Sequence, residues 1–165
     1  MAESGFARNG SKSFINVSQD NRIHLWDTDT RKERRTYVEK NHLAHSYTCS
    51  SWKVGKKDNL GYFAAGASDG TVTVWDLARG VVAKVLGEAN EGPVPTAVVF
   101  SNDAKTILVA SSQPHVTQYN LVSGEVVETF KGGKKGALKI AMNPKVDVFA
   151  VGGYISCSVN LTFIG

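Results

Sequence analysis

Cysteine is scarce in this 165-residue sequence, and long apolar runs are missing. The two cysteines, Cys49 and Cys157, lie far apart and outside any CxxC pair. They indicate neither a disulfide framework nor a zinc site, and we expect both to be small packing residues. No apolar stretch approaches the roughly 18 residues of a membrane span, and residues 1–10 lack the order of a secretory signal. The sequence therefore predicts an intracellular protein with no membrane partner.

Motifs for nucleotide and metal chemistry are missing as well. The phosphate-loop pattern GxxxxGK[ST] does not occur, and residues 132–136 form a basic turn without the following Ser or Thr. The zinc pattern HExxH does not occur either, and the histidines are scattered without metal-ligand spacing: His24, His42, His45 and His115. We therefore expect a protein that is not an enzyme, with no catalytic, cofactor-binding or metal-binding residues and no small-molecule substrate.

A unit of similar sequence recurs three times along the chain. It reads SQDNRIHLWDT at 18–28, ASDGTVTVWDL at 67–77 and SSQPHVTQYNL at 111–121. Each unit places an aromatic residue six positions after an Asp or Gln; these aromatics are Trp26, Trp75 and Tyr119. They are 49 and 44 residues apart, which is close to the roughly 40–45 residues of a four-stranded propeller blade.

Segments typical of β-strands surround every unit. Apolar runs precede the units at 14–17, 62–65 and 107–110. Further runs follow them at 33–38, 81–86 and 125–130, and a fourth set opens the repeats at 47–52, 95–100 and 137–142. Within the units, apolar and polar residues alternate as they do in half-buried strands. Because no stretch has a capped 3.6-residue period, we predict an all-β protein with four strands per repeat.

Two dipeptides carry a resemblance to a known family. At Trp26-Asp27 and Trp75-Asp76 the sequence resembles the WD-repeat family, in which this dipeptide ends the third strand of a blade. The resemblance implies an incomplete WD-repeat β-propeller of about three and a half four-stranded blades. Blade 1 covers about 1–40, blade 2 about 41–87, blade 3 about 88–131, and a partial blade 4 about 132–165.

The same resemblance implies a structural role for several polar residues. WD repeats join a His, a Ser or Thr, an Asp and the Trp in a buried hydrogen-bonded set. The second repeat offers His42, Asp69 and Trp75, with His45 as an alternative to His42, but it has Ala65 at the hydroxyl position, so the set is incomplete. A buried carboxylate needs such partners to offset its desolvation, so we interpret Asp69 with a histidine as a clamp on the blade. The other repeats supply Asp20 with Trp26, and Tyr119 in place of a Trp.

A narrower resemblance covers 6–153. It is based on Tyr37-Val38, on residues 41–43 (NHL) and on residues 47–52 (YTCSSW). These are similar to the N-terminal propeller of the family of U-three-protein five and WD repeat protein forty-three, a component of the UtpA subcomplex. That resemblance implies a nucleolar scaffold of small-subunit ribosome biogenesis, with other propeller proteins of a large ribonucleoprotein assembly and pre-ribosomal RNA as partners. The alternative is a cytosolic WD-repeat adaptor that binds peptides or proteins.

The loops between blades are the expected binding surface. They cover 41–46, 88–95 and 131–136, and the last carries Lys131, Lys134 and Lys135. These lysines are our candidates for an RNA phosphate contact, and the competing interpretation is ordinary solvated charge.

The segment after Gly153 departs from the repeat. A turn and an aromatic should follow, but the chain continues with the apolar stretch YISCSVNLTFIG. From this we expect a truncated or misassembled product, and the alternative is an unusual natural strand. We also expect the end blades to expose apolar residues such as Phe149, Ile155 and Phe163.

Overall fold

The described residues of the chain form antiparallel β-sheets and no helix. The computed structural model describes residues 5–6, 12–40, 42–55, 60–131, 136–146, 148–153 and 160–163. Fifteen strands are found in these residues: β1 (Gly5–Phe6), β2 (Ser13–Val17), β3 (Ile23–Asp27), β4 (Lys32–Tyr37), β5 (Tyr47–Lys53), β6 (Tyr62–Ala67), β7 (Val72–Asp76), β8 (Val81–Leu86), β9 (Pro95–Phe100), β10 (Thr106–Ser111), β11 (His115–Asn120), β12 (Val126–Lys131), β13 (Ala137–Met142), β14 (Val148–Gly153) and β15 (Asn160–Phe163). The all-β prediction is confirmed.

The strands pair in chain order into four sheets. The first sheet contains β1 to β4, the second β5 to β8, the third β9 to β12, and the fourth β13 to β15. Every neighbouring pair is antiparallel, so each sheet is a simple meander of hairpins. In the described part of the chain, no helix is long and apolar enough to cross a membrane.

Apolar residues on alternate strand positions pack consecutive sheets face to face. The interface between the first and second sheets buries Ile15, Leu25, Phe63 and Trp75 among others. The interface between the second and third sheets includes Cys49, which is buried there as a packing residue, as the sequence predicted. Cys157 lies outside the described residues. Since β-strands alternate their side chains, each central sheet contributes one face to each neighbour.

The interface between the third and fourth sheets corrects one expectation. Phe149 is not exposed: it is 1% accessible and packs edge-on against Phe130, with ring centroids 5.1 Å apart. The side chains of Ile155 and Phe163 lie outside the description. The backbone of Asn160–Phe163 nevertheless pairs with β14 as a third strand, so the segment expected to depart from the repeat continues the meander.

Two threonines join the opening strands of successive sheets. Thr48 on β5 donates its hydroxyl to the carbonyl oxygen of Pro95, 2.6 Å away, at the start of β9. Thr96 on β9 donates in the same way to the carbonyl of Ala137 at the start of β13. The equivalent position on β13 is Leu138, which cannot donate. These contacts hold the opening strands close together along one side of the molecule.

Candidate functional site

The three repeat aromatics occupy equivalent positions on third strands. Trp26, Trp75 and Tyr119 pair with the second strand at Phe14, Phe63 and Ile107, respectively. In each sheet the pairing with the fourth strand shifts immediately before the aromatic, which marks a β-bulge. The recurring unit in the sequence therefore corresponds to a recurring backbone geometry.

The environments of the three aromatics differ in packing. Trp75 is 2% accessible and packs edge-on against Tyr47, with ring centroids 5.9 Å apart. Trp26 is half-buried on the face of the first sheet away from the second, and its Nε1 donates to Oδ1 of Asn16 at 2.7 Å. Tyr119 is half-buried, and burial raises the pKa of its hydroxyl.

A polar cluster lies where the first sheet meets the second. We call it the junction cluster; it consists of Glu39, His45, Tyr47, Asp69, Thr71 and Thr73. Glu39 and His45 come from the loop between β4 and β5, and Asp69 from the tight turn between β6 and β7. The cluster thus joins a connecting loop to the end of a hairpin.

Asp69 organises the turn on one side of this cluster. Its Oδ1 accepts the Thr71 amide at 3.0 Å and the Thr71 hydroxyl at 2.7 Å, while its Oδ2 lies 3.5 Å from Nδ1 of His45. Burial raises the pKa of this carboxyl, but the two Thr71 hydrogen bonds and the nearby His45 outweigh it. The pKa of Asp69 is therefore lower than usual, and the group is a carboxylate at neutral pH.

Glu39 forms the other side of the cluster. Its Oε2 accepts the hydroxyls of Tyr47 and Thr73, each at 3.3 Å, and lies 3.9 Å from Nε2 of His45. Burial, with the Glu39 carboxylate alongside, raises the pKa of the Tyr47 hydroxyl, which keeps it a donor. The His45 side chain is 7% accessible, and its Nε2 has no hydrogen-bond partner among the described residues. The hydrogen bonds from Tyr47 and Thr73 to Glu39 fasten the loop to the second sheet, and the His45 ring is enclosed between the two carboxylates.

The histidine that faces Asp69 is therefore His45, the alternative partner, and not His42. Nδ1 of His42 lies 2.9 Å from the Glu39 carbonyl oxygen, a hydrogen bond inside its own loop. Asn21, in the turn between β2 and β3, fastens the loop from the first sheet, since its side-chain amide donates to the carbonyls of His42 and His45. Its Oδ1 accepts the Tyr47 amide at 3.2 Å. Neither Glu39 nor Asn21 was identified from the sequence, because no motif marks them.

Residues 66–70 (GASDG) match the GxSxG pattern of a nucleophile elbow. That elbow requires a strand followed by a helix, whereas here the pattern lies in the hairpin between β6 and β7. Ser68 is exposed, and its Oγ accepts the Ser46 amide at 3.0 Å. Nε2 of His45 lies near Glu39 rather than Ser68, so the geometry is that of a loop fastening.

Other carboxylates act as hairpin caps. Asp27 and Asp76, which end β3 and β7, accept amides of the following turns, from Thr30 at 2.9 Å and Arg79 at 3.0 Å. Asn120 repeats this contact after β11. Asp20 accepts the Ser18 hydroxyl, which is the main cause of its lowered pKa. Such contacts satisfy turn amides that no ladder reaches.

Of the basic residues proposed to contact RNA, Lys131 is exposed at the end of β12. Lys134 and Lys135 lie outside the described residues. The other two inter-sheet loops connect the fourth strand of one sheet to the first strand of the next, as predicted.

An open groove runs across the opening strands of the last three sheets. Its volume is about 360 Å³, and it is lined by Thr48 to Ser50, Thr96 to Val98 and Leu138 to Ile140. No described group of three or more His, Cys, Asp or Glu side chains is arranged to hold a metal ion. No protein-family model matches the chain, and a search of curated proteins finds no match either.

Proposed function

We propose that this chain is part of a WD-repeat β-propeller that acts as a non-catalytic scaffold. The observation that carries the proposal is the equivalent placement of Trp26, Trp75 and Tyr119, each directly after a bulge on a third strand. Four-stranded meanders that pack face to face in chain order are the building units of propellers. In this proposal the four sheets are blades 1 to 4.

The proposed role is recognition by loops and strand ends. The loop before the second sheet has a fixed conformation, since it is hydrogen-bonded to Asn21 on one side and to Ser68 and Thr73 on the other. A rigid scaffold that presents fixed loops is the usual basis of binding in such folds. Function then depends on what those loops contact.

We further propose the nucleolus as the place of action, with propeller proteins of the small-subunit assembly and pre-ribosomal RNA as partners. The support is the sequence resemblance over 37–52, together with a net charge of +4. Lys131, Lys134 and Lys135 are the proposed phosphate contacts, and they bind without sequence preference.

Affinity purification of the tagged chain from cells tests this assignment. Small-subunit precursors and their RNA in the eluate support it. Enrichment of cytosolic peptide or protein partners without RNA contradicts it and favours the adaptor function.

The RNA contact has its own test. Replacing Lys131, Lys134 and Lys135 by Glu should strongly weaken the binding of single-stranded RNA. The slope of the logarithm of the binding constant against the logarithm of the salt concentration should fall in magnitude by about 2, since each phosphate contact contributes roughly 0.7. The matched control reverses three exposed cations elsewhere, Lys32, Arg79 and Lys105, and should keep most of the binding. Equal loss in both variants would indicate that overall charge, and not this loop, binds RNA.

A further inference from the structure

The interface between the second and third sheets is underfilled relative to the one before it. At four equivalent positions the first interface carries Tyr37, Tyr47, Phe63 and Trp75, whereas the second carries Leu86, Pro95, Ile107 and Tyr119. Every one of the four replacements is smaller. Ser50 and Ala65 change in the other direction, to Val98 and Val109.

A cavity of about 220 Å³ remains between these two sheets. Its walls are apolar where Val72, Leu86 and Val109 line it, all of them buried. It opens to solvent beside Val126 and Thr129, which are exposed on the outer strand. An apolar cavity of ~150 Å³ is enough to bind benzene, so this one has room for a larger ring.

Polar groups line one side of the cavity. His115, Thr117 and Tyr119 alternate along β11, so all three lie on the face towards the second sheet. Among the described residues, neither the His115 ring nor the hydroxyls of Thr117 and Thr129 have a hydrogen-bond partner. A ring that enters the cavity therefore meets unpaired acceptors and donors next to an apolar wall, the usual composition of a ligand site.

We propose that this cavity binds a single aromatic group of indole size that carries a hydrogen-bonding atom. The site corresponds to the space that Tyr47 and Trp75 fill at the preceding interface. Two sources share this chemistry: a free aromatic metabolite, or a tryptophan side chain on a partner protein. The inference does not depend on the nucleolar assignment.

An NMR titration of the full chain with indole tests the site. We expect a millimolar Kd, with shifts centred on His115, Thr117 and Tyr119. Tyr119→Trp places an indole in the cavity and should weaken binding at least tenfold. Leu43→Trp, which adds the same ring at an exposed loop position 75% accessible, should leave binding unchanged. Absence of binding to the native chain, or equal binding by the Tyr119→Trp variant, would overturn the proposal.

Two further measurements sharpen the result. Indene has the shape of indole without its N–H, so it should bind about fivefold more weakly if a hydrogen bond contributes; equal affinities would refute the polar part of the proposal.

Should Tyr119→Trp fail to fold, Thr129→Phe at the exposed mouth blocks entry instead. N-acetyl-tryptophanamide separates the sources: tighter binding than indole indicates a partner side chain, and weaker binding indicates a free metabolite.

Discussion

Replacing Asp69 by alanine should destabilise the chain by about 2 kcal/mol. The carboxylate accepts two hydrogen bonds from Thr71, at 3.0 and 2.7 Å, and faces His45 at 3.5 Å. Hydrogen bonds to a charged group contribute about 1.5–3 kcal/mol each, but the side chain is 18% accessible and water replaces part of the loss. Asp69→Asn keeps an acceptor for Thr71 and should cost about half as much.

The cost should depend on pH in a defined direction. The pKa of Asp69 in the folded chain is below its ordinary value, so the carboxylate stabilises the fold above the unfolded pKa of about 3.9. That contribution is lost as the pH falls through the folded pKa, because both states are then protonated. The difference in free energy of unfolding between the native chain and Asp69→Asn should therefore be largest at pH 7 and shrink below about pH 4.

Urea unfolding at a series of pH values measures this difference. At each pH, the free energy of unfolding of the variant is subtracted from that of the native chain. This difference cancels the contributions of other carboxylates whose pKa values are lowered, such as Asp20 and Asp103. Glu91→Gln, on an exposed loop, is the matched control and should show no change at any pH. A difference for Asp69→Asn that stays constant from pH 7 to the acid limit would refute the assignment of this carboxylate to the junction cluster.

Four other variants test the packing of the first two sheets. Tyr37→Phe removes a buried hydroxyl that donates to the Leu77 carbonyl at 2.8 Å, and should cost about 1 kcal/mol by urea titration. Trp75→Ala should cost about 4 kcal/mol, and Trp26→Ala clearly less, because Trp26 is only half-buried; equal losses would contradict the packing. Asn21→Ala should cost about 2 kcal/mol and raise hydrogen exchange in 42–47, since it removes the loop fastening.

Strand positions could be predicted from the sequence because alternation and turn residues mark them locally. The first strand could not: Gly5–Phe6 has two residues, too few to alternate. The strand Asn160–Phe163 was missed for a related reason, since Thr162 pairs with Phe149, where an aromatic was expected. A strand can pair through its backbone with Thr at this position, but a motif that requires an aromatic residue there does not match it.

The junction cluster was only half predictable. The resemblance to WD repeats indicated Asp69 and left His42 and His45 as its alternative partners. Glu39 and Tyr47 could not be predicted, because they belong to different elements that meet only after packing. The loop conformation places His45, three residues beyond His42, against the turn. Sequence spacing fixes neither contact, because the loop path depends on Asn21 in the previous sheet.

Packing explains why the same backbone frame produces two different interfaces. The bulge and the strand pairing recur in the first three sheets, so the backbone is the same at both interfaces and the side chains decide how much of the space is filled. Where the side chains are large, as with Tyr47 and Trp75, the gap closes and a polar cluster completes its edge. Where Pro95 and Tyr119 replace them, a cavity of about 220 Å³ remains, and the hydrogen bond from Thr48 to Pro95 still joins the opening strands. The space is kept by the repeat itself, which makes it available to a ligand.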